Sequence, residues 1–158
     1  MHTKVEKIVK ILEEKKKTIA TMESCTGGGV VNAITNIEGA SNVLRYSAVT
    51  YSNEFKIKMG VSKEIIDTYT VYSMETAREM SKNISEFADS NYGIGITGML
   101  NRRDLANPSE DTNKVYISIY NRDDNTYYDD FVLVYSSDRV ENKSIVIDKI
   151  MENLEKIL

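Results

Sequence analysis

The segment 18–29 holds the residues best suited to chemistry, because hydroxyls and a thiol follow a short apolar stretch and run into three glycines. Glycines at a strand-to-helix turn let the backbone approach a ligand closely, and amides that open a helix point at negative charge. Ser24, Cys25 and Thr26 would lie at the mouth of this turn. A helix N-cap by Ser24 or Thr26 explains the same residues without any activity, so this segment alone leaves both interpretations open.

A second segment, Tyr51–Lys56, favours the chemical interpretation. It places a phenol at the end of a predicted strand and an amine about one helical turn later, beside Phe55 and Ile57. Burial at this position would favour the neutral amine over the ammonium ion, and a neutral lysine can take the proton of a serine hydroxyl. The two segments together predict the Ser-Lys chemistry of amidases, which requires no histidine.

The residue inventory excludes several other mechanisms. His2 is the only histidine and lies at the terminus, so a Ser-His-Asp or Cys-His arrangement has almost no candidate base. One cysteine, Cys25, cannot form an intrachain disulfide or, with His2, a usual zinc site, and no acidic spacing matches a calcium loop. We therefore expect no metal and no cofactor. Cys25 stays an alternative to Ser24 as the attacking group, since a thiol is intrinsically more nucleophilic.

Charge and length limit the partners and the domain count. A net charge of -4 argues against general nucleic-acid binding, which depends on clustered Lys and Arg. No apolar run approaches the roughly 18 residues that span a bilayer, so we expect no membrane association and a cytoplasmic location. A chain of 158 residues fits one domain, predicted to cover 1–158.

Hydrophobic periodicity and turn residues predict the elements that position these groups. We expect helices over about 4–15, 30–39, 53–59, 62–70 and 73–90 and a last one from Ser137 or Asp138, with strands over 18–22, 43–52, 92–97, 114–120 and 127–135. The fold class is α/β: a three-layer α/β/α domain with a mixed sheet that includes a C-terminal antiparallel hairpin. The last helix should bury one apolar face, composed of Ile145, Ile147, Ile150, Met151, Leu154 and Leu158.

The glycines of 93–98 match the pattern G-x-G-x-x-G. A dinucleotide-binding fingerprint needs these glycines after a strand, where they open a helix. Here they lie inside a predicted strand, so we expect that they allow close packing against a neighbouring helix instead.

Several motifs share their order with one protein family. They are Glu-Ser-Cys-Thr-Gly-Gly at 23–28, Gly39-Ala-Ser41, Val49–Lys56, Gly60-Val61, Ser73 before a helix, and Thr97-Gly98. Over about 4–157 the chain resembles the CinA C-terminal domain family, which comprises competence- and damage-inducible proteins and stand-alone nicotinamide-nucleotide amidases. The resemblance implies hydrolysis of the carboxamide of nicotinamide mononucleotide to nicotinic acid mononucleotide and ammonia, in pyridine-nucleotide salvage.

The resemblance also implies roles for individual residues. Ser24 would be the nucleophile, Lys56 its general base, and Tyr51 the group that holds or relays the proton. Amides near Thr26–Gly28 would stabilise an oxyanion or hold a phosphate. The residues implied in substrate binding are Cys25, Thr26, Gly27, Gly28, Thr97, Gly98 and Arg102. The family further implies a pyridine nucleotide as the small-molecule partner and a homodimer or larger homo-oligomer.

Two departures from the family pattern lie in the expected site loops. After Thr97-Gly98 the family continues with Ala-Gly-Pro-Gly-Gly, whereas this chain has Met99-Leu-Asn-Arg-Arg-Asp-Leu105; Arg102 and Arg103 would add an anion contact or fill the pocket. Before Ser73, Thr70 and Tyr72 replace a glycine and a valine. Function is often lost or altered in such loops while the fold persists, so a non-catalytic nucleotide-binding or regulatory module is the alternative to an amidase.

Overall fold

A five-stranded mixed sheet organises the chain in a computed structural model that describes residues 1–102, 105–106 and 111–158. The strands are β1 (Ile19–Glu23), β2 (Leu44–Val49), β3 (Tyr92–Gly98), β4 (Lys114–Asn121) and β5 (Thr126–Leu133), in the order β2-β1-β3-β4-β5. β1 runs parallel to β2 and β3, whereas β3, β4 and β5 pair antiparallel. The predicted mixed sheet and its C-terminal hairpin are confirmed.

Helices cover both faces of this sheet. They are α1 (His2–Glu14), α2 (Gly29–Thr35), α3 (Asn53–Lys58), α4 (Lys63–Tyr69), α5 (Met74–Ala88) and α6 (Arg139–Ile157), with a short 3-10 helix at Ala40–Asn42. One hydrophobic core joins α1, α2 and α6 to the sheet, and a second joins α4 and α5 to its other face. β1 shows why two cores form: Ile19 belongs to the first, whereas Ala20 and Met22 belong to the second. The predicted three layers are confirmed.

The glycines of β3 serve helix packing, as predicted. A Cβ atom added to Gly93 would lie 1.9 Å from the carbonyl oxygen of Ser81, and one added to Gly95 would lie 2.2 Å from that of Ala77. Both carbonyls belong to α5, which therefore lies directly on β3. Side chains at either position would force the helix away from the sheet.

Two expectations about helices are wrong in detail. Ile145 is 39% exposed, and Val146 is buried in its place with Ile150 and Leu154 at the following turns. The predicted α2 extends too far, because the helix ends at Thr35 and the chain turns at Gly39, where φ is +89°. The predicted loop 98–113 lies partly outside the described residues, which omit Arg103.

The carboxyl ends of β1, β2 and β3 meet at one edge of the sheet. Ser24 follows β1, the short link to α3 follows β2, and Met99 follows β3. Such an edge is where α/β proteins gather residues for ligands. Within the described ranges, no helix is both long enough and apolar enough to cross a lipid bilayer.

Candidate active site

The turn after β1 presents Ser24 at the end of the strand. Its backbone N–H donates to the carbonyl of Ile96 in β3 at 3.0 Å, and the N–H of Gly27 donates to the Ser24 carbonyl at 3.0 Å. Gly27 and Gly28 have φ values of +61° and +91°, which glycine adopts without steric cost. The chain can therefore reverse sharply here and leave the Ser24 hydroxyl facing the space outside the sheet edge.

A buried carboxylate holds this turn from beneath. Glu23 accepts hydrogen bonds from the Thr26 hydroxyl at 2.7 Å and from the N–H groups of Gly28, Val30 and Val31 at 3.1, 3.1 and 2.8 Å. These amides form the start of α2, whose positive end favours a negative charge. The protein thus supplies its own anion to this helix, and these three amides are already engaged.

Lys56 reaches the same place from α3, and only 1% of the residue is exposed. Its Nζ lies 3.0 Å from Ser24 Oγ, and it donates to the Thr50 carbonyl at 2.8 Å and the Tyr51 carbonyl at 3.4 Å. A neutral amine has two N–H donors and one lone pair. In that form Lys56 can donate to the two carbonyls and accept the serine proton, whereas the three oxygen atoms around Nζ also match the three donors of an ammonium ion.

A cavity of about 270 Å³ opens beside this pair. It is lined by Ser24, Cys25, Tyr51, Asn53, Lys56, Val71, Tyr72, Gly98, Met99, Leu100, Arg102 and Arg139. Six residues that the sequence marked for catalysis or binding are among them: Ser24, Cys25, Tyr51, Lys56, Gly98 and Arg102. The cavity is therefore where a substrate would meet the Ser24 hydroxyl.

Four other predicted binding residues do not line the cavity: Thr26 and Thr97, which are buried, Gly28, which is half-buried, and Gly27, which is exposed. The Thr26 hydroxyl and the Gly28 amide point to Glu23, and the Gly27 amide closes the turn. Thr97 donates its hydroxyl to the Val71 carbonyl at 2.7 Å, so it ties β3 to the segment before α5. These hydrogen bonds hold the turn after β1 and the segment before α5, both of which carry residues of the cavity lining.

Comparison with known proteins identifies the family of this chain. A family model for the CinA C-terminal domain matches residues 1–158. The chain belongs to the CinA C-terminal domain family. A relative from Caldanaerobacter subterraneus subsp. tengcongensis, provisionally named competence-damage inducible protein, is 36% identical over 88% of this chain and 34% of its own length. A CinA-like protein of Endomicrobium trichonymphae is 43% identical over 57% of this chain and 21% of its own. The chain thus spans about a third or less of these relatives.

Solved structures of CinA-family proteins share the fold. The competence/damage inducible protein CihA from Agrobacterium tumefaciens superposes with a TM-score of 0.85 over 99% of this chain and 92% of its own, at 24% identity. The competence damage-inducible protein A of Klebsiella pneumoniae superposes with a TM-score of 0.89 over 98% of this chain and 94% of its own, at 19% identity. At these sequence identities, the superpositions establish the shared fold.

Tyr51 occupies the rim of the cavity in this CinA-family chain. The residue is 64% exposed, and its contact with Lys56 is made by the backbone carbonyl. Among the hydrogen bonds of the described residues, none joins the phenol to Ser24 or Lys56. The predicted role of Tyr51 in holding or relaying the proton therefore stays a prediction.

Cys25 directly follows the proposed nucleophile in the chain, and its thiol is buried. Burial raises the pKa of its thiol to about 12, although the positive charges of Lys56 and Arg139 act in the opposite direction. The thiol is therefore protonated at neutral pH, which removes the thiolate that would attack a carbonyl carbon. Within the described part of the chain, no three His, Cys, Asp or Glu side chains gather as a metal site would require.

Six residues of the lining were not among the predicted site residues: Asn53, Val71, Tyr72, Met99, Leu100 and Arg139. Tyr72, Met99 and Leu100 do lie in the two loops that were expected at the site, although no role was assigned to them. Arg139 is the one with a detectable signal. It is the first residue of α6, directly after the N-cap Asp138. The helix dipole disfavours a cation at that end, so an arginine there indicates a role other than helix stability.

Proposed function

We propose that this chain is an amidohydrolase that hydrolyses the carboxamide of nicotinamide mononucleotide to nicotinic acid mononucleotide and ammonia. The observation that carries the proposal is the 3.0 Å separation of Ser24 Oγ and Lys56 Nζ at a cavity wall. A buried hydroxyl–amine pair is a recognised arrangement for acyl transfer without histidine. The identity of the substrate comes from the family resemblance.

The first half of the reaction forms an acyl-enzyme. Lys56 takes the hydroxyl proton as Ser24 Oγ attacks the carboxamide carbon, giving a tetrahedral intermediate with a negative oxygen. We assign the stabilising donors to the N–H groups of Cys25 and Thr26, because those of Gly27 and Gly28 are engaged within the turn. Collapse of the intermediate passes the proton from Lys56 to the nitrogen, and ammonia leaves.

The second half returns the enzyme to its starting state. Lys56, neutral again, takes a proton from water as the water oxygen attacks the ester carbonyl of the acylated Ser24. Collapse breaks the bond to Ser24 Oγ, which recovers its proton from Lys56. The net change is amide plus water to acid plus ammonia. Burial of Lys56 serves both halves, because it disfavours the ammonium form between proton transfers.

The test is ammonia release from nicotinamide mononucleotide by the purified chain and matched variants. We expect Ser24→Ala and Lys56→Met each to lower kcat/KM by about 10³-fold or more, because each removes a reacting group. Lys58→Met is the control, since it removes an exposed lysine from the same helix. Circular dichroism establishes that the Lys56 variant is folded. Undiminished turnover in a folded Ser24→Ala or Lys56→Met protein would contradict the mechanism.

Assays of the same purified protein distinguish two alternatives to this mechanism. If Cys25 were the nucleophile, Cys25→Ser would abolish turnover; we expect it to retain activity because the thiol is protonated. If the changed loop after Gly98 had turned the site into a binding module, calorimetry would detect the mononucleotide while no ammonia formed. The expected cytoplasmic location stays a prediction.

A further inference from the structure

The arginines of the described residues fall into two groups. Those outside the cavity each have an acceptor: Arg45 donates to the Ala88 carbonyl, Arg78 pairs with Asp129, and Arg122 pairs with Asp89. Arg102 and Arg139 line the cavity, and neither guanidinium group makes a hydrogen bond or ion pair within the part of the chain that the structure describes. An unpaired guanidinium at a cavity wall fits an anionic ligand with oxygen atoms in a plane or fork.

Asn101 fixes the loop that carries Arg102. Its backbone has a φ of +57°, a left-handed conformation that asparagine tolerates better than most residues. Its side-chain amide donates to the carbonyls of Tyr135 and Ser136, both at 3.1 Å. The loop after β3 is thereby attached to the segment that precedes α6.

The same segment is also hydrogen-bonded to α6. The buried Asn142 donates to the Ser136 carbonyl at 2.8 Å, and the Ser136 N–H donates to the Asn142 side-chain oxygen at 3.1 Å. Ser136 thus joins the loop of Arg102 to the helix that begins with Arg139. The two guanidinium groups are carried by backbone segments that are held in one fixed relation.

We propose that Arg102 and Arg139 together bind the phosphate of the substrate, with Asn101 as a positioning residue. A phosphate monoester carries up to two negative charges and three terminal oxygens, which two guanidinium groups can bind in a bidentate manner. The start of α2 cannot take this phosphate, because Glu23 occupies it. The site therefore selects a mononucleotide over the uncharged nucleoside. This inference rests on the proposed function for the base and carboxamide of the ligand.

The test measures affinity by calorimetry in a Ser24→Ala background, where no turnover is expected. The probes are nicotinamide mononucleotide, nicotinamide riboside, and ribose 5-phosphate, which has the phosphate but no carboxamide. We expect Arg102→Gln to weaken binding of both phosphate-bearing probes by about tenfold, the loss typical of a charge-assisted hydrogen bond, and to leave the riboside unchanged. Arg45→Gln makes the same charge change outside the cavity and should alter none of the affinities.

The outcomes separate this inference from the proposed function. Ribose 5-phosphate binding that depends on Arg102 supports the phosphate site even if the wild-type chain releases no ammonia. Hydrolysis of the mononucleotide with affinities that do not depend on Arg102 would overturn the inference and leave the amidase intact. An equal loss for the riboside and the mononucleotide would also overturn it, because the residue would then act on the cavity as a whole.

The positioning role of Asn101 has its own variant. Asn101→Gly keeps the left-handed backbone accessible but removes the amide that donates to the 135–136 segment. We expect the preference for mononucleotide over riboside to fall severalfold, in the same direction as in Arg102→Gln. Asn125→Gly is the matched control, because Asn125 also has a positive φ, of +55°, but lies in the β4–β5 turn. A preference that is unchanged in Asn101→Gly would refute the positioning role.

Discussion

Glu23 directly precedes the proposed nucleophile Ser24 in the chain, and its side chain is fully buried. An ionised carboxylate is tolerated away from water only where hydrogen bonds replace its hydration. Glu23 obtains them from the amides at the start of α2 and from the Thr26 hydroxyl. Its charge is thus used to hold the turn. As a consequence, the amides at the start of α2 are not available to a substrate phosphate, for which we propose the arginines at the cavity wall.

Thr70 shows a local cost of this chain's departure from the family pattern. It lies where the family has glycine, and its φ of +66° with ψ of +173° belongs to a region that is almost restricted to glycine. Its carbonyl accepts hydrogen bonds from the hydroxyls of Ser73 and Thr76, which hold the backbone in place. The strained residue directly precedes Val71 and Tyr72 of the cavity wall.

We predict that Thr70→Gly raises the free energy of unfolding by about 1 kcal/mol. Relief of the strain, about 1–3 kcal/mol, is partly offset by loss of the hydrogen bond that its hydroxyl accepts from the Tyr72 N–H. Urea unfolding measures the change. Thr68→Gly, the same substitution inside α4, should instead lower stability by a few tenths of a kcal/mol. A loss of stability in both variants would show that Thr70 is not strained.

The residues of the site differ in how well they can be predicted from the sequence. Ser24 and Lys56 could be predicted because each lies in a local motif whose chemistry is recognisable, although their roles stay predictions until activity is measured. The position of Arg139 at the start of a helix signals a role in the sequence, but its place at this site could not be predicted, because it depends on how α6 packs. No local pattern reports that the start of the last helix meets the end of the first strand.

At the scale of elements, the site depends on short connections between β1, β2 and the helices that follow them. α3 begins where the Ser52 hydroxyl accepts the Phe55 N–H, so Lys56 returns toward the sheet edge within one turn. The predicted cap Ser73 is confirmed by a hydrogen bond from the Thr76 N–H. Of the two predicted alternatives for the last helix, Ser137 and Asp138, the cap is Asp138, which accepts from the Val140 N–H. Such boundaries follow from local chemistry, which the sequence contains.

Which side of a helix is buried is harder to predict than where the helix lies. In α6 the alternatives Ile145 and Val146 are adjacent apolar residues, and periodicity alone does not decide between them. Packing against the sheet decides for Val146, whose partners at the next turns, Ile150 and Leu154, are also buried. The predicted face included Ile145 because the tertiary contacts that select the face are long-range.

The contact of α5 with β3 leads to a prediction for Gly95. An added Cβ would lie 2.2 Å from the Ala77 carbonyl and 2.6 Å from the Ser81 nitrogen, both backbone atoms of α5. Gly95→Ala must move a whole helix, so we expect it to lower the free energy of unfolding by about 3 kcal/mol or more, at the upper end for overpacked cores. Denaturant unfolding with a circular dichroism signal measures this loss.

Gly29→Ala is the matched control for that experiment. Its added Cβ would lie 2.7 Å from Ile147 Cδ1, the end of a flexible side chain that can change rotamer. The expected loss is therefore well below that of Gly95→Ala. Equal losses in the two variants would contradict the claim that rigid backbone contact makes Gly95 irreplaceable.

Over the whole molecule, the edge of the sheet opposite the cavity is held by a polar network. Asp123, in the β4–β5 turn, pairs with Lys17 before β1 at 2.7 Å and accepts from the Asn91 side chain before β3 at 2.9 Å. Asn91 in turn accepts from the Thr18 N–H at 2.9 Å. The network joins three connections that are distant in sequence. The predicted homo-oligomer stays a prediction, which light scattering of the purified chain would test.

Asp123 gives this network a pH dependence with a definite sign. Hydrogen bonds from Lys17 and Asn91 hold the pKa of the Asp123 carboxyl below its usual value. A carboxyl with a lowered pKa in the folded state stabilises the protein above its unfolded pKa of about 3.9, and this stabilisation is lost as the pH falls through the folded pKa. We predict that Asp123→Asn lowers the free energy of unfolding at pH 7 by at most about 1 kcal/mol, the scale of partly exposed ion pairs.

A double-mutant cycle with Lys17→Gln isolates this contribution. The coupling between residues 17 and 123 should be measurable at pH 7 and low salt, and it should shrink as the pH falls below about 4, because the carboxylate is then protonated. It should also weaken in 1 M salt, which screens exposed charges. Coupling that persists unchanged at pH 2 would show that the Asp123 side chain acts through neutral hydrogen bonds alone, and the ionic explanation of the network would then fail.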